Sequence, residues 1–469
     1  MNGAFWQWSA CELARAIAAR EISSREAVES CLARLEGVNP QINAVVDVLA
    51  DEALAAADRA DAITRRGDRL GMLHGVPVTI KINVDYAGRP TTNGVVAFQD
   101  RIAAADSPPV ANWRKAGAIV VGRTNVPAFS ARFFTDNALY GRTLNPWAPD
   151  RTPGGSSGGA AAALATGIGA LAHGNDRAGS IRYPAYACGV WGLRPTIGRV
   201  PSFAGGPQEP TLATQLTHVQ GPLARNIADL RLGFHTMAVR DPRDPGWVPA
   251  PLEQASLQRP LRIGVFIPPV SAKSDDSVVA AVKSAARWLQ DAGCIVEEAA
   301  PPRLQEAAEL FFSLIRTEER TGTTRAIEEF GDDALRRARA STMAAATEMD
   351  FAGYVQAFAR RASMLREWQL FFERFPLLLM PISYRLPLPI DFDQRGDQAV
   401  KEMLNAHQPM LAISSLGLPG LAVPTGIADG VPVGVQLVAG RFQEELCLAA
   451  GAMIENNLAR TTPIDPIAA

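Results

Sequence analysis

The run Pro153–Gly198 reads PGGSSGGAAAALATGIGALAHGNDRAGSIRYPAYACGVWGLRPTIG, and the rest of the chain is read outward from it. Glycine is dense there. Residues without a Cβ permit positive φ and close backbone approach, which loops around a reaction centre often need. For Ala160–Leu164 a plainer reading is preferred: small residues let a helix pack tightly on a sheet. Ser156 lies in Gly154-Gly155-Ser156-Ser157-Gly158-Gly159, which matches G-x-S-x-G in two successive registers, as a Gly/Ser string does by chance. A nucleophile elbow needs a strand immediately before it, whereas Asn145-Pro146-Trp147-Ala148-Pro149-Asp150-Arg151-Thr152-Pro153 precedes here. The G-K-[ST] of a phosphate-cradling loop is also missing. Ser180 follows Gly174-Asn175-Asp176-Arg177-Ala178-Gly179. Successive amides in such a turn can form a nest for a developing oxyanion. The same segment reads equally as a structural loop pinned by an Asp176–Arg182 pair.

Upstream, Lys81 interrupts the apolar strand-like run Val76-Pro77-Val78-Thr79-Ile80-Lys81-Ile82. An unpaired ammonium there costs several kcal/mol to bury. Burial lowers a lysine's pKa, and a neutral lysine can serve as general base near pH 7. The alternative is a strand-end lysine that snorkels to water. Ser9-Ala10-Cys11-Glu12 and Ser23-Ser24-Arg25-Glu26 each fit a capping box, predicting helices near 10–20 and 24–36. A further helical pattern covers 49–65. Strands are expected at 76–82 and 118–121, with a crossover helix over 108–116, and this alternation favours an α/β fold.

Downstream the pattern predicts a strand at 261–267 and helices at 276–291, 304–329 and 350–373. Strands follow at 377–381, 421–424 and 432–438, then a final helix at 443–457. Length alone suggests about three domains, but no repeat or low-complexity linker divides the chain. The expectation is one domain over 1–469, with 300–375 as a helical, cap-like insertion.

The bulk numbers exclude several classes. Lys plus Arg total 46 against 48 Asp plus Glu, a net charge of −2, with no long run of one sign. That argues against a nucleic-acid partner and against a polybasic membrane address. The 5 cysteines are scattered without a C-x-x-C pair, and none of the 5 histidines is paired at i, i+4. Neither a disulfide framework nor a zinc site is indicated; a metal built from distant residues is the open alternative, and the expectation is no metal and no cofactor. The N-terminus lacks the basic and apolar regions of a signal peptide. The apolar stretch 160–172 is shorter than the roughly 20 residues of a membrane span. A cytoplasmic location is therefore expected.

Taken together, Lys81, GGSSGGAAAALATG, GNDRAGSIRYPAYACGVWGLRPT, Gln220-Gly221-Pro222-Leu223-Ala224-Arg225, GLPGLAVPTG and VPVGVQLVAG resemble the amidase signature family across nearly the whole chain. The resemblance implies a large mixed β-sheet flanked by helices on both faces. It implies a Ser–cis-Ser–Lys triad in which Ser180 attacks the carbonyl, Ser156 relays its proton and neutral Lys81 accepts it. It also implies an oxyanion hole from the amides of Arg177, Ala178, Gly179 and Ser180. The expected reaction is hydrolysis of a small non-peptide amide, such as an aryl amide, a carbamate or a nylon-oligomer-like bond. Two readings compete with it: a catalytically silent binding protein on the same scaffold, and the family's glutamine-dependent tRNA amidotransferase. A homodimer is expected as well.

Two departures stand in the loop, where the family usually has G-T-D-x-G-G-S. Asn175 replaces threonine and Ala178 replaces glycine. If Ala178 must take a positive φ, strain follows. Arg177 is expected either to border the pocket and favour an acyl group carrying a carboxylate, or to turn to solvent or pair with Asp176. Phe129, Phe133 and Phe134 are candidate wall residues, with Phe129 and Phe134 carried as substrate contacts, although a plain core role for at least two of the three is the preferred reading. Phe311, Phe312 and Tyr354 in the segment 304–373 are candidates for the opposite wall.

Overall fold

Helix starts fall where the capping boxes place them. In the computed structural model, which describes residues 3–203, 205, 209–252, 260–269, 273–318 and 323–468, the Glu12 amide donates to Ser9 Oγ at 3.1 Å and the Ser9 amide donates to Glu12 Oε2 at 2.7 Å. Ser23 and Glu26 repeat the exchange at 3.1 and 2.8 Å. The helices Ala10–Ala18 and Ser24–Ile42 follow directly. Each box satisfies amides that a helix start otherwise leaves without partners.

Among the described residues eleven strands form one sheet. They are β1 (Val45–Val48), β2 (Pro77–Lys81), β3 (Ile119–Thr124), β4 (Leu171–Asp176), β5 (Trp191–Arg194), β6 (Val219–Ala224), β7 (Arg262–Val265), β8 (Ile295–Glu298), β9 (Leu377–Pro381), β10 (Gly420–Ala428) and β11 (Val431–Ala439). Their spatial order is β1-β3-β2-β4-β6-β5-β10-β11-β9-β7-β8. The sheet is mixed. β2 runs parallel to both β3 and β4, while β4 pairs antiparallel with β6, and β10 with β11. The expected crossover helix, Pro108–Lys115, joins β2 to β3.

Helices cover both faces, and β9 shows why its sequence lacks polar alternation. Leu377 and Leu379 point into one apolar cluster with Val278, Val282 and Leu448. Leu378 and Met380 point into another with Phe311, Trp368 and Leu411. All four β9 side chains are fully buried. Successive strand residues face opposite sides, so a strand covered twice reads as a continuous apolar run.

The helix expected over 304–329 is found as Leu304–Glu318 and Thr323–Phe330, with 319–322 outside the described residues. Asp333–Ala344 and Phe351–Arg374 complete the helical stretch. The helix Leu304–Glu318 packs on Gln408–Leu416. No helix among the described residues is long and apolar enough to cross a membrane.

The glycine-rich run forms a buried helix, Gly158–Ala165, followed by β4. Gly159 lies so close to the chain leaving β3 that a Cβ would come 2.5 Å from the Asn125 amide nitrogen and 2.7 Å from the Ala44 carbonyl oxygen. Backbone cannot yield as a flexible side chain can. Gly159→Ala should therefore lower stability by about 1–3 kcal/mol, read as a lower urea midpoint. An unchanged midpoint would show that the helix has room to retreat from β3.

Candidate active site

Parallel pairing of β2 and β4 puts their C-terminal ends side by side, the usual place for a site in an α/β sheet. With Val78 opposite Leu171 and Thr79 opposite Ala172, Lys81 at the end of β2 comes beside Asn175 and Asp176 at the end of β4. Lys81 is fully buried. Its Nζ lies 2.7 Å from Ser156 Oγ and 2.7 Å from Asn175 Oδ1. The snorkelling alternative does not hold, because the ammonium end is the sealed one. Burial holds the amine well below its usual pKa, while the charge of Asp176 pulls the other way.

The loop carrying Ser156 approaches from the other side. Gly155–Ser156 is a cis peptide. Gly155 is required here, since a Cβ would meet the Arg132 carbonyl oxygen at 2.5 Å and the Phe133 carbonyl carbon at 2.6 Å. Residues 152–155, immediately before Ser156, are not strand. Ser157, the second serine of the elbow-like match, ties the two loops together. Its amide donates to the Ser180 carbonyl at 3.3 Å and its hydroxyl to the Asn175 carbonyl at 3.4 Å.

Ser180 sits between β4 and the helix Arg182–Cys188. Exposure rises along the constellation, from 0% for Lys81 and 1% for Ser156 to 8% for Ser180. The lysine is the most enclosed of the three, and Ser180 is the member that meets solvent.

Asp176 shapes the Ser180 loop. Its carboxylate accepts from Arg182 Nε at 3.0 Å, Arg194 Nη1 at 3.0 Å, the Gly179 amide at 2.8 Å and the Ile181 amide at 3.3 Å. Burial alone would raise this carboxyl, but the two guanidiniums and the Gly179 amide overrule it and hold it far below the usual carboxylate range. The Asp176–Arg182 pair expected from the sequence is thus present, and Arg194 joins it.

The structure answers two questions left open for the loop and corrects the expected donor role of Gly179. Gly179 carries the positive φ, +111°, and Ala178 is not among the positive-φ residues, so alanine at 178 needs no strain. The Gly179 amide is engaged by Asp176, so it does not face the site as a free oxyanion donor. The amides of Ala178 and Ser180 have no protein acceptor among the described residues. Arg177 does not pair with Asp176, whose oxygens are taken by Arg182 and Arg194. It is half-buried near His218, whose pKa is held down at about 3 first by burial and then by the charge of Arg177.

The aromatic candidates separate. Phe134 is buried among Leu388, Val400 and Met403, with Arg132 5.7 Å from its ring, and is a core residue rather than a wall. Phe129 packs edge-on to Phe98 at 5.6 Å, in the cluster of Ile327 and Leu335. Phe133 is half-buried, edge-on to His407 at 4.6 Å, and packs with Ala178 against the cluster that holds Phe311. Phe312 and Tyr354 lie against that same cluster.

Sequence reading did not single out Asn83, Ser130, Asn93 or His173. His173 Nδ1 accepts the Lys81 backbone amide at 3.4 Å, and its Nε2 pairs with Gln220 Oε1 at 2.9 Å. Asn83 lies in the turn that follows β2, where strand alternation gives no signal to find it by. Among the described residues no group of three His, Cys, Asp or Glu side chains could hold a metal ion.

The family model described as Amidase matches residues 26–448. An indoleacetamide hydrolase of Bradyrhizobium diazoefficiens is 45% identical over 97% of this chain and 87% of its own length. One subunit of the glutamyl-tRNA(Gln) amidotransferase of Moorella thermoacetica is 31% identical over 96% of each chain. The solved structure of a 6-aminohexanoate cyclic dimer hydrolase complexed with substrate superposes with a TM-score of 0.83 at 27% identity, covering 97% of each chain.

Removing one partner from a buried ion cluster leaves the others uncompensated. Asp176→Asn should cost about 3–5 kcal/mol in chemical denaturation. Because the folded carboxyl lies below its unfolded value of about 3.9, the wild-type contribution is complete above that pH and fades as pH falls below it. The variant should lose that part of the acid-side decline; an identical decline in both proteins would place the acid sensitivity elsewhere.

Proposed function

The chain belongs to the amidase signature family and is an amide-hydrolysing enzyme, and from that premise we propose that Ser180 is its nucleophile, Ser156 its proton relay and Lys81 its base. The observation that carries this reading is the Lys81 amine, sealed from water and 2.7 Å from Ser156 Oγ. A base must be neutral at working pH, and burial supplies that state.

Ser180 Oγ attacks the carbonyl carbon while its proton passes to Ser156 and the Ser156 proton passes to Lys81. The Ala178 and Ser180 amides face the oxygen as charge develops on it, and their aim is fixed by the Asp176 anchor before substrate arrives. As the C–N bond breaks, Ser156 returns a proton to the departing nitrogen. An amine leaves poorly without that proton, so the relay serves both halves of the step. Water then attacks the Ser180 ester through the same relay, releasing the acid.

We assign as substrate a small primary amide of an aromatic acetic acid, of the indoleacetamide kind. The 45% identity to an indoleacetamide hydrolase over 97% of the chain supports it, as does the half-buried Phe133 ring, which like Ala178 lies against the apolar cluster that holds Phe311. The tRNA-amidotransferase relative is more distant at 31%. The five cysteines stand unpaired, which supports a reducing compartment such as the cytoplasm.

Purified protein alone should release ammonia from indole-3-acetamide and leave glutamine intact. Ser180→Ala and Lys81→Ala should each lose about a thousandfold or more in kcat/KM while melting as wild type does. Full activity in Ser180→Ala would move the nucleophile to Ser156 or Ser157, and preferred hydrolysis of glutamine would favour the amidotransferase reading.

A further inference from the structure

The relay requires the lone pair of a neutral Lys81 amine to face the Ser156 hydroxyl, and burial alone does not aim it. A neutral amine has two N–H bonds and one lone pair. Lys81 Nζ has two close side-chain partners, Ser156 Oγ and Asn175 Oδ1, both at 2.7 Å. With the Asn175 carbonyl facing it, the amine donates an N–H there and keeps its lone pair for Ser156. With the Asn175 NH2 facing it instead, that group would donate into the lone pair and block the base.

Which end of Asn175 faces the lysine is decided by its neighbours. Asn175 Nδ2 donates to Asn83 Oδ1 at 3.0 Å. Asn83 Nδ2 donates to Ser130 Oγ at 3.0 Å and, more weakly, to Asn175 Oδ1 at 3.3 Å. The Ser130 hydroxyl donates to Asn93 Oδ1 at 2.7 Å. Ser130 is presented by a turn in which Phe129 and Ser130 take φ of +56° and +54°, with the Phe129 amide bonded to the Asn93 carbonyl at 2.9 Å. Non-glycine residues seldom adopt that region, so two in succession mark a turn held by its surroundings.

We propose that Asn175 and Asn83 are positioning residues: a chain of hydrogen bonds from Lys81 through Asn175, Asn83 and Ser130 to Asn93 keeps the Asn175 carbonyl on the Lys81 amine and leaves the lone pair for Ser156. The proposal rests on Lys81 being the base. It gives a reason for the pairing in this chain, which has asparagine where the family usually has threonine. A threonine hydroxyl rotates to suit its neighbours and needs no second residue to orient it. An asparagine needs one.

The other charged or titratable groups around Lys81 are Asp176 and His173 from β4 and His218 just before β6. Asp176 is held ionised by its arginines, and both imidazoles titrate near 3. An acid limb in kcat/KM above about pH 5 therefore reports Lys81.

The test is kcat/KM against pH, with indole-3-acetamide or a nitroanilide, for Asn175→Leu, Asn175→Thr, Asn83→Ala and the double variant Asn83→Ala/Asn175→Thr, each with its melting temperature. Asn175→Leu should lose about tenfold or more on the plateau. Its acid limb should move to lower pH, because the carbonyl that favours the ammonium is gone. Asn83→Ala should cost a similar factor in the wild-type background and less than about twofold in the Asn175→Thr background, where no amide needs orienting. A merely structural role predicts an unmoved limb and an equal cost of Asn83→Ala in both backgrounds; either result overturns the proposal. Should Asn83→Ala not fold, Ser130→Ala, one link further out, replaces it in the same cycle. Activity retained by Lys81→Ala would instead overturn the assignment of the base, whatever the asparagine variants do.

Discussion

Burial of a lysine without a carboxylate in contact favours the free amine, and the site is arranged around that constraint. Lys81 is fully buried, and its nearest anion, Asp176, is already shared between Arg182 and Arg194. Direct pairing with Asp176 would favour the ammonium. The two guanidiniums neutralise the carboxylate before its charge can do so. The same carboxylate then grips the Gly179 and Ile181 amides, so one ion cluster sets both the electrostatics around Lys81 and the shape of the Ser180 loop.

The sheet supplies the convergence. Parallel pairing of β2 and β4 aligns two strand ends that lie far apart in sequence, and the polar residues of the site cluster there. Ser157 links the Ser156 loop to the Ser180 loop, and the close passage of Gly155 along residues 132–134 leaves that loop no room to retreat. Lys81 and Ser156 therefore meet from two distant segments, and Ser157 ties the Ser180 loop beside them. Rigid placement of this kind lets donors face developing charge without reorganising during the reaction.

Much of this was legible in the sequence, for identifiable reasons. Capping boxes and double-sided apolar runs have short-range causes, so the helix starts at Ser9 and Ser23 and strand β9 could be read directly. Lys81 announced itself as a charge in an apolar strand. β4 was hidden, because Leu171–Asp176 ends in His, Gly, Asn and Asp, residues with little strand preference that are held there by pairing on both sides. Whether Ala178 or its neighbour takes the positive φ stayed open, because only the fold reveals which residue of the turn does so. Phe134 was misplaced because an aromatic near a site and an aromatic of the core look alike in sequence. The asparagine chain was invisible, since its members come from four separate stretches.

The most direct test of the central claim is to trap the covalent intermediate. Incubation with an activated aryl ester that deacylates slowly, followed by intact mass and peptide mapping, should place one acyl group on Ser180, with none in Lys81→Ala at a pH where wild type acylates fully. An acyl group on Ser156 or Ser157, or undiminished acylation in the lysine variant, would contradict the account.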